Sequence, residues 1–339
     1  RPRRTLVFCS WAAEEFGMIG STEWTEQFGK QLSARAVAYL NIDQAFNGNY
    51  SFRAKSTPLM YDLLWEVTKQ VPNPDPEEVA AGRTTVFDTW LERLYDLDHP
   101  ERPWINSIAS GSDFSPFQQV LGVPCLDIRY TDMTIGEPLY HTLYETFELV
   151  DELYDRGFLF HSSVTAVWSI LAVTIADLQL LPFTPARYPA YLETGIEELQ
   201  TEYGDLMAAQ NLSFSRLSQA TDKFSDDVNN FVAELESIDL SNVLETRRAN
   251  DRLMMIERAF LDPRGLPDRP HYLHVVTSPS DFNTYSGSAF SGLSDTLYRI
   301  SVTDDLQELA SLWRTVEQHL AAVTHFVYTA GRVLSDQLW

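Results

Sequence analysis

The chain has 339 residues, too many for one small core and suited to two domains, with an ordinary hydrophobic content of 44%. Its 25 Lys and Arg stand against 48 Asp and Glu, a net charge of −23, which argues against a nucleic-acid partner because phosphate binding needs clustered basic residues. No apolar run approaches the roughly 18–20 residues needed to cross a bilayer. The opening Arg-Pro-Arg-Arg leads straight into a strand-like run, so the chain reads as a fragment whose N-terminus lies upstream.

Thr5 to Ser10 is apolar and β-branched, the pattern of a buried strand, and it runs into two adjacent carboxylates, Glu14 and Glu15. Met18 to Leu32 has helical spacing, and Ala36 to Ile42 reads as a second strand ending at Asp43. Strand, helix and strand predict a βαβ unit with parallel strands, which sets the acidic ends on one edge of the sheet, where open α/β sheets place their ligands. A turn and short strand follow at 47–53, then a helix over 57–70, a proline-rich loop over 71–76 and a helix around 85–95. Residues 107–113 form a loop, 114–121 a short helix and 123–130 a third strand, and a loop over 136–142 carries His141. One long helix is expected from Asp151 to about Leu180. Pro182, Pro185 and Pro189 mark a boundary between domains at 1–180 and 181–339; the second shows long helices at 191–209, 213–235, 242–260 and 306–336, a helical bundle. The two cysteines, Cys9 and Cys125, both in apolar runs, read as buried free thiols. Asn49-Tyr-Ser51 and Asn211-Leu-Ser213 are glycosylation sequons.

Glu14, Glu15, Asp43 and His141 supply the oxygen and nitrogen donors that zinc accepts. Two metal ions can clamp both oxygens of a hydrolysis, and a carboxylate beside a ligand can serve as general base. Neighbouring side chains on extended backbone point opposite ways, so one of Glu14 and Glu15 can bind metal while the other faces water; spacing does not say which. The same residues are also compatible with helix-dipole and turn roles. No Gly-x-Ser-x-Gly elbow, Walker loop, Gly-x-Gly-x-x-Gly after a strand or His-Glu-x-x-His occurs.

Trp-Ala-Ala-Glu-Glu-Phe-Gly-Met-Ile-Gly-Ser-Thr-Glu-Trp at 11–24 resembles the co-catalytic zinc peptidases of the glutamate carboxypeptidase II and transferrin receptor superfamily. So do Val37-Ala-Tyr-Leu-Asn-Ile-Asp43, Gly48-Asn-Tyr-Ser-Phe-Arg53, Pro138-Leu-Tyr-His-Thr-Leu-Tyr-Glu-Thr146, Asn250-Asp-Arg-Leu-Met-Met-Ile-Glu-Arg-Ala-Phe260 and Leu266-Pro-Asp-Arg-Pro270. The resemblance spans nearly the whole chain and implies an α/β fold: part of a zinc-exopeptidase α/β/α sheet domain, then an α-helical bundle for dimerisation.

It further implies that Glu14 is the general base, that Glu15 and His141 bind one Zn2+ and Asp43 the other, and that Tyr140 donates a hydrogen bond to the oxyanion. The family needs a further histidine and a bridging aspartate, and no residue here matches them, so the isolated chain is expected to bind zinc poorly and not to turn over. Glu23 and Glu26 match the family's Ca2+-binding pair, with a solvated helix face as the other reading. Arg53 and Arg129 match two of three arginines that hold an acidic substrate side chain; Asp127 replaces the third and Ser112 an asparagine, so Asp127 and Arg129 are expected to cancel and acidic side chains not to be favoured. Gly17, Met18 and Tyr285 match the neighbouring pocket, where Thr284 replaces a lysine. The resemblance implies a short peptide substrate, a C2 homodimer and a type II membrane protein with an extracellular or lumenal domain. The other function class is a non-catalytic receptor on the same scaffold; Glu14, Glu15, Asp43 and His141 all fit the catalytic pattern and favour the enzyme.

Overall fold

The computed structural model describes residues 1–133, 138–282 and 287–337. The strands are β1 (Tyr39–Asn41), β2 (Phe46–Asn47), β3 (Ser51–Ser56), β4 (Asn106–Ser107), β5 (Cys125–Thr131), β6 (Thr277–Pro279) and β7 (Gly287–Ala289). The helices around the sheet are α1 (Ile19–Gln27), α2 (Gly29–Arg35), α3 (Tyr61–Thr68), α4 (Pro76–Ala80), α5 (Val86–Arg93), α6 (Phe114–Gln119), α7 (Phe147–Leu149) and α8 (Leu159–Asp177). The bundle contains α9 (Tyr188–Ala209), α10 (Ser215–Glu236), α11 (Val243–Ala259), α12 (Ser291–Val302) and α13 (Leu306–Leu334).

The main sheet has the order β1-β5-β3-β4, with β2 also on β5. β1 and β2 run parallel to β5, and β3 runs antiparallel to it. Phe52, Leu126 and Ile128 fill one face against Trp90, whose ring meets Phe52 edge-on at 5.1 Å. α8 buries Val164, Val167 and Leu171 beneath the sheet. The same apolar core continues through Tyr188 and Phe260 into the bundle. Burying each such side chain contributes about 1.5–3 kcal/mol.

Several expectations change. Thr5–Ser10 forms no ladder: Phe8 is 75% exposed, and the segment lies along a groove of about 460 Å3 beside β1. β propensity without a paired neighbour does not make a strand, so the βαβ unit is not formed, and β1 finds its parallel partner in β5 instead. Cys9 is therefore exposed, while Cys125 is buried as expected. The helix expected over 18–32 breaks at Phe28 into α1 and α2.

The long helix expected from Asp151 starts only at Leu159, because Gly157 (φ 78°) and Phe158 (φ 56°) turn left-handed. Asp155 accepts from the Phe160 and His161 N–H groups at 3.1 and 2.9 Å and closes that end. α8, with 19 residues and a mean hydropathy of 1.6, is long and apolar enough to cross a membrane by length and composition, which corrects the reading that no run approaches that size.

Within the second part of the chain a buried polar knot ties α9 and α11 to the segment that enters β6. Glu257 on α11 accepts from the Tyr188 hydroxyl and lies 2.9 Å from His274 Nε2. His274 Nδ1 accepts from the Thr277 N–H at 3.0 Å, so the ring proton sits on Nε2 and faces Glu257.

Candidate active site

A second apolar cluster carries the site. Phe114, Phe117, Leu121 and Val123 are buried with Trp11, Trp24 and Tyr39 against them. Tyr39 stacks on Phe117 at 4.0 Å, and Trp11 donates to the Tyr39 hydroxyl at 2.9 Å. These contacts hold the chain on both sides of Glu14–Phe16, a single 3₁₀ turn. Gly17, at φ 104°, closes the turn with its N–H on the Glu14 carbonyl at 2.9 Å, a conformation that only glycine adopts without strain.

The turn meets the end of β1 and the 138–146 loop in a cavity of about 220 Å3, lined by Glu14, Glu15, Asp43, Gln44, Gly111, Tyr140, His141 and Glu145. Glu15 Oε2 lies 3.0 Å from His141 Nε2. His141 has φ 61°, a left-handed backbone that is uncommon outside glycine, although histidine adopts it more readily than most residues. Its ring stacks on Tyr140 at 3.8 Å, and its backbone N–H donates to Glu145 Oε2 at 2.8 Å. Glu145 Oε1 in turn accepts from Gln44 at 3.2 Å. Sequence reasoning missed Glu145 and Gln44; the signal available for Glu145 was a carboxylate four residues from a ligand-type histidine.

Burial raises the Glu14 pKa to about 7, helped by Asp43, Asp113 and Glu15 and opposed by His141. A carboxyl group of that affinity exchanges its proton near neutrality. The donor set fits a divalent metal in part: a carboxylate and an imidazole converge on one point, with Asp43 in the same cavity. Among the described residues no group of three or more His, Cys, Asp and Glu side chains is placed to hold an ion.

Behind the cavity lies a charged face of the sheet. The register sets Arg53 opposite Arg129 and Lys55 opposite Asp127, with Asn41 on the other side of Asp127. Asn41 donates to Asp127 and to the Ser112 hydroxyl, both at 2.9 Å, and Arg53 donates to Asn106 at 3.1 Å. Burial pushes the Asp127 carboxyl up, against the pull of Arg129, the Asn41 hydrogen bond and Lys55. Asp127 and Arg129 do share a face, but Lys55 adds a third cation to Arg53 and Arg129 against the single Asp127. The expected cancellation is therefore incomplete. The Arg53-Ala-Lys55 alternation on a strand was the signal for it.

The remaining positions are dispersed. Met18 is half-buried next to Gly17. Glu23 and Glu26 are exposed on α1, and Asn49 and Asn211 are exposed in turns. Tyr285 and Thr284 lie outside the described residues.

The sequence of the Peptidase family M28 profile matches residues 1–156, and that of the transferrin receptor-like dimerisation domain matches 212–335. The chain joins an M28 peptidase domain to a transferrin receptor-like dimerisation domain. It is 32% identical over 332 residues to aminopeptidase NAALADL1 of Rattus norvegicus, covering 95% of this chain and 43% of the relative. It is 33% identical over 339 residues to "Probable glutamate carboxypeptidase LAMP1" of Arabidopsis thaliana, covering 100% and 46%. The glutamate carboxypeptidase 2 homolog of Caenorhabditis elegans is 32% identical over 354 residues, covering 99% and 45%. The chain spans about half the length of these curated relatives. Its mixed α/β part precedes the helical dimerisation part in the order expected.

Proposed function

We propose that this chain carries part of the active site of a metal-dependent exopeptidase that hydrolyses short peptides. The observation that supports it most is the meeting of Glu15 and His141 at 3.0 Å in the cavity that also holds Glu14 and Asp43. Glu15 and His141 would hold one zinc ion and Asp43 a second, the remaining ligands coming from outside this chain. When bound, the metal ions supply Lewis acidity to the scissile carbonyl and acidify water. Glu14 takes a proton from water and returns it to the leaving amine, a role suited to a carboxyl group with a pKa of about 7. Tyr140, 44% exposed at the cavity edge, presents a hydroxyl to developing negative charge on the carbonyl oxygen.

Relatives named as aminopeptidase and as glutamate carboxypeptidase are alike in acting at a chain end, which supports exopeptidase action without choosing the end. The helical part would form a C2 homodimer, and Glu23 with Glu26 would contribute to a calcium site. Exposed sequons at Asn49 and Asn211 accord with an extracellular or lumenal, membrane-anchored parent. The test is peptide hydrolysis by the complete protein: Glu14→Gln should lower kcat by about 10²–10⁴-fold with metal content unchanged. Full activity in that variant would contradict the assignment.

A further inference from the structure

The turn that carries Glu14 and Glu15 is strained, and no strand ladder precedes it. Ala13 (φ 57°), Gly17 (φ 104°) and Met18 (φ 57°) are all left-handed within six residues. For alanine and methionine that conformation costs roughly 1–2 kcal/mol each. Such a turn persists only where its surroundings over-determine it. One constraint is local: the Gly20 N–H reaches the Ala12 carbonyl at 3.0 Å, so closely that a Cβ at Gly20 would lie 2.6 Å from that oxygen.

The other constraint is long-range. Ser21 is fully buried, with its hydroxyl 3.1 Å from the Met18 carbonyl and 2.5 Å from Asp113 Oδ1. Asp113 lies 92 residues away, is 8% exposed, and occupies the position just before α6. Aspartate there ordinarily caps the helix, yet its carboxylate caps nothing and turns to Ser21. The charges bearing on it are the carboxylates Asp43 and Glu14. A buried anion facing like charges is costly to keep, and a neutral residue would relieve it. Next to it, Ser112 is tied to Asn41 on β1, two residues before Asp43. The chain of contacts Ser21, Asp113, Ser112, Asn41 therefore links the strained turn to the strand end that bears Asp43.

We propose that Ser21 and Asp113 form a latch that sets Glu14 and Glu15 against Asp43, and so are positioning residues for the reaction. This rests on the peptidase reading of the cavity. The test has two arms. In the complete metal-loaded protein, S21A, D113A and the double variant should each lower kcat about tenfold with KM nearly unchanged, because one hydrogen bond is lost in all three. D113N keeps an acceptor for the Ser21 hydroxyl and should restore most of kcat. In the metal-free chain, amide exchange over residues 13–22 should rise about tenfold in S21A and D113A and stay at the wild-type rate in D113N. Multiplying losses in the double variant, or unchanged exchange in both single variants, overturns the latch. A metal-loaded wild type that hydrolyses no peptide refutes the peptidase reading instead, and the exchange arm then decides the latch by itself.

Discussion

Replacing Glu14 by Gln should stabilise the metal-free chain while removing its catalytic base. Its folded pKa of about 7 stands above the ordinary 4.5, chiefly through burial and then through Asp43, Asp113 and Glu15. Between those two pH values the folded chain binds the proton more tightly than the unfolded chain. Stability is therefore lost as pH rises through that window, and the loss is complete above about 7. The gap corresponds to roughly 3 kcal/mol if unscreened, but Glu14 is only partly buried, at the mouth of the cavity, and solvent screening brings the expected effect to about 1 kcal/mol. Glutamine does not titrate. Urea unfolding of wild type and E14Q should coincide near pH 4 and diverge by about 1 kcal/mol at pH 8, with E14Q the more stable. Equal stability at both pH values, or E14Q the weaker at pH 8, would refute the electrostatic origin of the raised pKa.

Other substitutions test other parts of the molecule. E257A leaves His274 and Tyr188 without their shared acceptor in the buried knot, and thermal unfolding should show a loss of about 3–5 kcal/mol. Trp90→Ala, at a fully buried site under β3, should cost about 3–5 kcal/mol in the same assay. On the charged sheet face, K55M should lower the kcat/KM of the complete protein for an acidic dipeptide relative to its amide analogue by about tenfold, and D127N should raise that ratio; ratios unmoved by both would remove this face from substrate recognition. Sedimentation of the complete protein should give a dimer, and a monomer at micromolar concentration would count against the proposed role of the helical part.

The helical part was legible because its apolar spacing survives into α9, α10, α11 and α13 with shifts of a few residues at the ends. The acidic motif at Glu14-Glu15-Phe-Gly17 was legible because the turn needs glycine and places the carboxylates at the mouth of the cavity. Thr5–Ser10 misled because a strand is a property of two segments, and its composition does not disclose whether a partner is paired beside it. The start of α8 was readable in hindsight: Asp155 and Gly157 form a stop-and-cap signal that the apolar run after Asp151 obscured. Lys55, Asp113 and Glu145 escaped because their significance lies in cross-strand register and in hydrogen bonds over long sequence separations, and no local pattern encodes either.

The most direct test measures metal content and peptide hydrolysis together in the complete protein, for wild type and for H141A. Wild type should bind zinc and cleave short peptides, and H141A should lose metal and activity in parallel, since Glu15 is left without its imidazole partner. Undiminished zinc binding and turnover in H141A would contradict the assignment of this cavity as the catalytic centre.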